Sequence, residues 1–353
     1  MRRVVGIALL AALAACRPAR DPNEVRIGYA PNLTHAQALV GLARGDFERA
    51  LPRPYRLAPT PFNAGPAMIE ALFAGELDVA YLGPIPAING HVQSKGRALR
   101  IISGSASGGS ALVVRKGAGI ETEKGLEGRS IAVPQFAGTQ DVALRTFLAR
   151  RGLKTYEHGG SVRVLSVPNS ESLLLFKKGQ LDAAMVPEPW VERLVREADG
   201  RVLVDERTLW PKGRYATTVI VARNRFLEEH PEVVRRLLEA HVRITEFVAA
   251  HPAESVTLIG KQVRAVLGKA LPRPIVEAGL ARVEPMVDPL PSTVKAYGEN
   301  EWRLGYLKQA PALQGIMDLR LLNVVLRARG SASVSAGDLE ASAMRTAARP
   351  TDR

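Results

Sequence analysis

Two similar three-layer α/β lobes, joined by two crossing strands with a ligand cleft between them, are the fold this 353-residue chain predicts. Three observations carry that expectation. A single hydrophobic core stops growing at about 250–300 residues, so a chain of this length divides. Pieces of α/β units recur along the sequence at an offset of about 104 residues, as in a duplicated architecture. Two extended segments, Gly109-Ser110-Ala111-Leu112-Val113-Val114 and Ala216-Thr217-Thr218-Val219-Ile220-Val221, are apolar or β-branched and stand where the chain would pass from one half to the other and back.

The elements follow in order from the N-terminus. Arg2 and Arg3 form a positive n-region, Val4 to Leu13 an apolar stretch, and Leu13-Ala14-Ala15-Cys16 resembles the bacterial lipobox, whose cysteine thiol receives diacylglycerol. Residues 1–15 are expected to be a signal peptide and 16–23 a linker lipidated at Cys16. The apolar stretch falls short of the roughly 20 residues a membrane span needs. Cys16 is the only cysteine, so no internal disulfide can form and the core must hold the fold. The expected location is the periplasmic or cell-surface side of the membrane, with the chain anchored through Cys16.

Val25-Arg26-Ile27-Gly28-Tyr29 and Ser130-Ile131-Ala132-Val133 read as strands, each followed by a polar loop and an apolar-periodic helix beginning near Thr34 or Thr139. Helices ending Ala71-Leu72-Phe73-Ala74-Gly75 and Leu174-Leu175-Phe176-Lys177-Lys178-Gly179 close on the glycine that suits a left-handed C-cap. Glu76-Leu77-Asp78 and Gln180-Leu181-Asp182 come next, then strands Val79 to Leu82 and Ala183 to Val186, then Pro84-Ile85-Pro86 and Pro187-Glu188-Pro189. The crossings make lobe 1 discontinuous, 24–117 and 213–330, and lobe 2 an insertion, 118–212. After 222 the chain turns helical, with prolines at helix entries in His230-Pro231 and His251-Pro252. Residues 331–353 lack periodic apolar positions and are expected to be a disordered tail.

The net charge of +13 falls to +11 without the two leader arginines. These positives are interleaved with acids, as in Glu228-Glu229 ahead of Arg235-Arg236, whereas a nucleic-acid stripe would cluster them. Nucleic acid is therefore not an expected partner. The six histidines show no His-Glu-x-x-His or other tight metal spacing, and no Gly-x-Ser-x-Gly elbow occurs, so neither enzyme activity, nor a metal, nor a cofactor is expected.

In open α/β sheets ligands gather beyond the carboxyl ends of strands, where each repeated loop lies. Helix N-termini present unpaired N–H groups and partial positive charge, so a pair aimed into one cleft makes an anion clamp. Thr34 and Thr139 would add hydroxyls at matching positions and Gln140 an amide; threonine in such places also serves simply as a helix cap. Gly83-Pro84 lets backbone approach a ligand because glycine has no Cβ. Ser107 is a candidate donor within a Ser/Gly-rich approach to the first crossing, a stretch without the Gly-Lys-Ser/Thr ending of a phosphate loop. His35 is placed at the cleft lining. Pro187-Glu188-Pro189-Trp190 sets a carboxylate and an indole on a stiffened backbone: Glu188 to meet an amine or govern a hinge, Trp190 to floor a pocket or fill the core. Asp141, in a first helical turn, complements the helix dipole beside this site.

Together these residues resemble the substrate-binding lipoproteins of ABC importers for sulfonates, taurine, nitrate and related small anions. The resemblance runs from about 24 to 329 and is carried by Ile27-Gly28-Tyr29-Ala30-Pro31-Asn32-Leu33-Thr34-His35-Ala36, Gly75-Glu76-Leu77-Asp78 with Gly83-Pro84, and Val133-Pro134-Gln135 through Thr139-Gln140-Asp141. Val186-Pro187-Glu188-Pro189-Trp190, Asp205 to Pro211 and Thr217-Thr218-Val219 complete it. It implies a type II periplasmic-binding-protein fold, a monomer that closes on its solute and docks on an inner-membrane permease. It also implies that Asn32, Thr34, Gly83, Thr139, Gln140, Glu188 and Thr217 lie near the ligand. The long C-terminal tail departs from the family pattern. Aliphatic sulfonate or taurine is the first expectation, since a permanently ionised group with three acceptor oxygens suits two helix ends and a tail pocket. Nitrate, bicarbonate, a pyrimidine precursor, a fold-related enzyme and a solute sensor are the alternatives.

Overall fold

The computed structural model describes residues 21–341. The expected signal peptide, the lipidation at Cys16 and the last part of the expected tail lie outside the described residues. Among the described residues the strands are β1 (Glu24–Tyr29), β2 (Arg56–Pro61), β3 (Val79–Leu82), β4 (Leu99–Gly108), β5 (Ser110–Arg115), β6 (Ser130–Val133), β7 (Arg163–Ser166), β8 (Ala183–Pro187), β9 (Gly200–Asp205), β10 (Ala216–Arg223) and β11 (Val283–Pro285). They form a six-stranded sheet, β11-β4-β10-β3-β1-β2, and a five-stranded sheet, β7-β6-β8-β5-β9.

The two sheets repeat one plan. In each, a central strand pairs in parallel with two neighbours, β1 with β2 and β3, β6 with β7 and β8. An antiparallel strand then joins the third, β10 beside β3 and β5 beside β8. Those antiparallel strands are the two crossing segments expected from sequence. Because Ser110 to Val114 pair with Pro187 to Ala183, the second sheet begins at Ser110, earlier than the expected boundary at 118. The chain turns between sheets at Gly108 and Gly109, whose φ of +78° and +74° a side chain would oppose. A Cβ on Gly109 would also stand 2.6 Å from Val283 Cγ2.

The repeated landmarks have the same local cause in both lobes. Gly75 and Gly179 are left-handed at φ +73° and +71°, and the following N–H groups, of Glu76 and Gln180, reach back to the carbonyls of Ala71 and Leu175. Leu77 and Leu181 are buried. Asp78 Oδ2 accepts from the N–H of Arg26 at 3.0 Å, and Asp182 Oδ2 accepts from the N–H of Ser130 at 3.0 Å, so each aspartate caps the entry of the neighbouring central strand.

In lobe 2 the period-2 alternation of strand side chains builds two core layers. Ile131, Val133 and Met185 pack with Leu144, Phe147 and Leu148 on one face; Ala132, Ala184 and Val186 pack with Phe176, Trp190 and Leu194 on the other. Lobe 1 has one larger core, which the long helices Pro231–Ala250 and Pro252–Leu267 join through residues such as Val234, Leu238 and Ile259. Residues 331–341 correct the expectation of disorder over that part of the tail: Ala336 and Leu339 are buried in lobe 1, and the N–H of Ala341 donates to Met317 O at 2.6 Å. Two apolar residues on one short turn are too few to register as periodicity, yet enough to dock. Among the described residues no helix is long and apolar enough to cross a membrane.

Candidate functional site

The carboxyl ends of six parallel-paired strands converge on one cavity between the lobes. Ala30 follows β1, Asn63 lies beyond β2, Gly83 follows β3, Pro134 follows β6, Asn169 lies beyond β7 and Pro187 ends β8, and all six line it. Its volume is about 50 Å³.

Five helices start at this wall. They are Ala36–Arg44, entered through the Leu33–His35 turn, Gly65–Phe73, Pro84–Gln93, Thr139–Arg150 and Asn169–Lys177, and none has a side-chain cap hydrogen bond. Pro66, Pro84 and Pro86 carry no N–H in two of these first turns, and the Ala36 N–H returns to Leu33 O; the remaining first-turn donors have no side-chain cap and are left to whatever enters. One helix end stabilises an anion by about 0.3–1 kcal/mol when exposed and up to ~2 when partly buried, so five ends acting together rival a charged side chain. Among the described residues no lysine, arginine, aspartate or glutamate lines the cavity. Its preference for negative charge comes from dipoles and neutral donors.

Thr139 is the residue most exactingly placed. It begins its helix, is buried, and its Oγ1 has no hydrogen-bond partner. Across the cleft stands Gly83, where any Cβ would collide with that hydroxyl, so glycine is required here by space and not by conformation. Thr217 occupies an irregularity in the β10–β4 pairing; its hydroxyl donates to Gly108 O at 2.7 Å while the residue lines the cavity. Thr34, Gln140 and Asn32 line it as expected. His35 lines it too: Nδ1 accepts from the N–H of Ala30 at 3.3 Å, which leaves the proton on Nε2, and burial pushes its pKa down to about 3. It is a neutral donor throughout the physiological range.

Five expected site residues lie off the cavity wall. Asp141 turns into the lobe interface, accepting from the Ala137 N–H at 2.9 Å, Arg145 Nε at 2.8 Å and Tyr306 O–H at 2.6 Å. Ser107 Oγ accepts from the Tyr215 N–H at 3.2 Å. Pro84 supplies the first residue of its helix, and Pro86 lines the cavity instead. Glu188 is 0% exposed and turns toward the hinge, 3.4 Å from Arg282 Nε, with its carboxyl pushed up to about 7 by burial. Its backbone ties the lobes, accepting from Leu33 N at 2.8 Å and donating to Gly109 O at 2.7 Å. Trp190 lies behind Asn32, donating from Nε1 to Asn32 Oδ1 at 3.1 Å, so it positions a lining amide and borders an adjoining recess.

Asn63, Gly65, Gln135 and Asn169 also line the cavity and were absent from the sequence-based set. The same repeat carried a signal for two of them. Asn63-Ala64-Gly65-Pro66 and Pro168-Asn169-Ser170-Glu171 fall one repeat apart, each between a strand and a helix start. Asn169 Oδ1, like Thr139 Oγ1, is buried without a partner. Among the described residues no group of three or more His, Cys, Asp or Glu is arranged to hold a metal.

Residues 18–259 match the profile of the NMT1-like family. A protein of Brucella abortus named as a binding protein is 29% identical over 57% of this chain and 60% of its own length. The taurine-binding periplasmic protein of Escherichia coli is 29% identical over 54% of this chain and 57% of its own. The chain thus spans about three fifths of the length of these curated relatives. The alkanesulfonate-binding protein SsuA of Xanthomonas axonopodis pv. citri, solved bound to MOPS, superposes with a TM-score of 0.69 at 23% identity, over 83% of this chain and 97% of that one. The two share the two-lobed fold implied by the resemblance in sequence.

Proposed function

The chain belongs to the NMT1-like family, and from that premise we propose that it is the extracytoplasmic solute-binding component of an ABC importer, capturing a small organic anion between its lobes and delivering it to a membrane permease. The observation that carries this reading is the convergence of five uncapped helix starts and the unpartnered Thr139 hydroxyl on one cavity free of charged side chains. Such a site favours an anion whose charge does not depend on pH. A sulfonate head meets that requirement and offers three acceptor oxygens to donors from both lobes. The relatives named for taurine and alkanesulfonates support the same class.

Asn32, Thr34, His35, Gly83, Thr139, Gln140 and Thr217 form the grip, with Asn63, Gln135 and Asn169 added by their position at the wall. Each hydrogen bond to a charged group contributes about 1.5–3 kcal/mol, and micromolar affinity needs roughly 8 kcal/mol net, so closure must bring several to bear at once. Isothermal titration of the purified chain against alkanesulfonates, taurine, nitrate, bicarbonate and pyrimidines tests the reading. Binding of sulfonates, weakened by about 1–3 kcal/mol in Thr139→Ala, is the expected outcome. Tight binding of a neutral pyrimidine with no response to any anion would overturn it. The small cavity leaves nitrate as the second reading, because that ion fits there whole.

Membrane attachment through Cys16 belongs to the same proposal. Cys16→Ser should move the protein from the membrane to the soluble fraction; retention in the membrane fraction would remove the anchor. Sedimentation at equilibrium checks the expected monomer.

A further inference from the structure

The cavity does not end at its polar walls. Asn32, Asn63 and Asn169 also line a second space of about 460 Å³ that opens outward between the lobes. Beyond those asparagines its walls are mixed: Pro31 and Leu271 with Leu267, Ala270 and Pro272 from the end of one lobe-1 helix and the loop after it, and Trp190 from lobe 2, make an apolar part, while Ser170, Arg193, Glu197 and Lys269 make a polar one. A water-sized centre takes about 10–15 Å³, so the inner cavity of about 50 Å³ holds only a compact head of a few heavy atoms. The three shared asparagines give whatever is attached to that head a way into the recess.

The chemistry of the recess decides what it accepts. Its carboxylate, Glu197, is already engaged by Arg193 at 2.9 Å and Lys177 at 3.6 Å. The Arg193 guanidinium also lies 4.6 Å over the Trp190 ring. An ammonium group such as taurine's meets the paired Glu197 and the cations Arg193 and Lys269 there, whereas an apolar ring meets Pro31, Leu267, Leu271 and Pro272.

We infer that the inner cavity and this recess are one bipartite site, and that the preferred solute is an amphiphilic anion with a compact oxyanion head and a bulky apolar tail of aromatic size. The inference rests on the proposed binding of an anion in the inner cavity. It departs from that reading by excluding taurine and nitrate as the best ligands.

Calorimetry with methanesulfonate, taurine, nitrate and naphthalene-2-sulfonate tests it on the full chain. The expected result is that naphthalene-2-sulfonate binds at least about tenfold more tightly than the other three, since each buried Å² of apolar surface contributes about 25 cal/mol. Ala270 and Ser170 are exposed residues on opposite walls of the recess. Ala270→Trp and Ser170→Trp, each verified as folded by its melting curve, should then cut the naphthalene-2-sulfonate to methanesulfonate ratio to about threefold or less. Equal or tighter binding of methanesulfonate, taurine or nitrate by the parent chain would overturn the bipartite site and leave anion capture standing. A ratio unmoved by either substitution would overturn it as well. Failure of all four anions to bind would instead overturn the proposed function.

Discussion

The loops after β3 and β8 hold equivalent places in the two lobes, yet one became jaw and the other hinge. After β3, Gly83 offers bare backbone at the start of a helix, directly across from Thr139. After β8, the Glu188 backbone bonds Leu33 and Gly109, and its carboxylate turns away from the cavity toward Arg282. A duplicated architecture therefore supplies matching scaffold positions without matching duties. What each loop does depends on the surface that faces it.

The largest test of that comparison concerns the aspartates the lobes share. Asp78 is fully buried and bonded to Arg223 at 2.9 Å, whereas Asp182 is partly exposed, with Arg115 at 3.6 Å. Asp78→Ala leaves a buried guanidinium partly uncompensated and should cost about 3–5 kcal/mol in urea unfolding. Asp182→Ala loses chiefly the bond to the Ser130 N–H and should cost only about 1–2 kcal/mol. Equal costs would mean that the two lobes use the repeat in the same way.

Gly83→Ala comes next. The added methyl meets Thr139 before the lobes can close, so anion affinity should fall on the order of 100-fold, the loss of one or two charged hydrogen bonds, with little change in melting temperature. An affinity within about threefold of the parent would show that closure does not need that approach.

The hinge side is read through pH. Burial holds the Glu188 carboxyl at about 7 against an ordinary 4.5, so the folded state binds the proton more tightly than the unfolded one. Stability from this group is greatest below pH 4.5, declines as pH rises through that window, and is fully lost above about 7. Glu188→Gln should stabilise the protein above pH 7 by on the order of 2 kcal/mol and by nothing below pH 4.5, a difference that chemical denaturation at the two ends of the window measures. Glu192 still holds Arg282, at 2.9 Å, in that variant. The smallest effect belongs to the exposed Arg225–Glu229 pair: Arg225→Ala should change stability by less than about 0.5 kcal/mol.

Much of this scaffold was legible because its signals are local. The glycines at 75 and 179, the aspartates after them, and the threonines at 34 and 139 occupy conformations set by a few neighbouring residues. Thr34, Gly83, Thr139 and Gln140 could be placed at the cleft because a strand end followed by a helix start has one geometry. Asp141 and Glu188 follow the structural alternatives their positions offered, a helix-start carboxylate and a hinge group, and not the cavity wall. Each stands one position from a cavity-lining residue; Arg282, distant in sequence, draws the Glu188 carboxylate, and Tyr306 joins the local partners Ala137 and Arg145 on Asp141. Trp190 fell between the two outcomes foreseen for it, since the acceptor of its N–H lies 158 residues away.

By itself, the order of residues determined that the chain folds as two α/β units of one plan, crossed twice, with helix starts gathered where an anion would sit. These features follow from periodicity, caps and turns, which act over a few residues. The tertiary structure alone decided which of two equivalent loops opens on the cavity, how large that cavity is, and that an apolar recess continues it. Those are properties of surfaces brought together from distant parts of the chain, where space and buried charge, rather than local preference, select the side chain's direction.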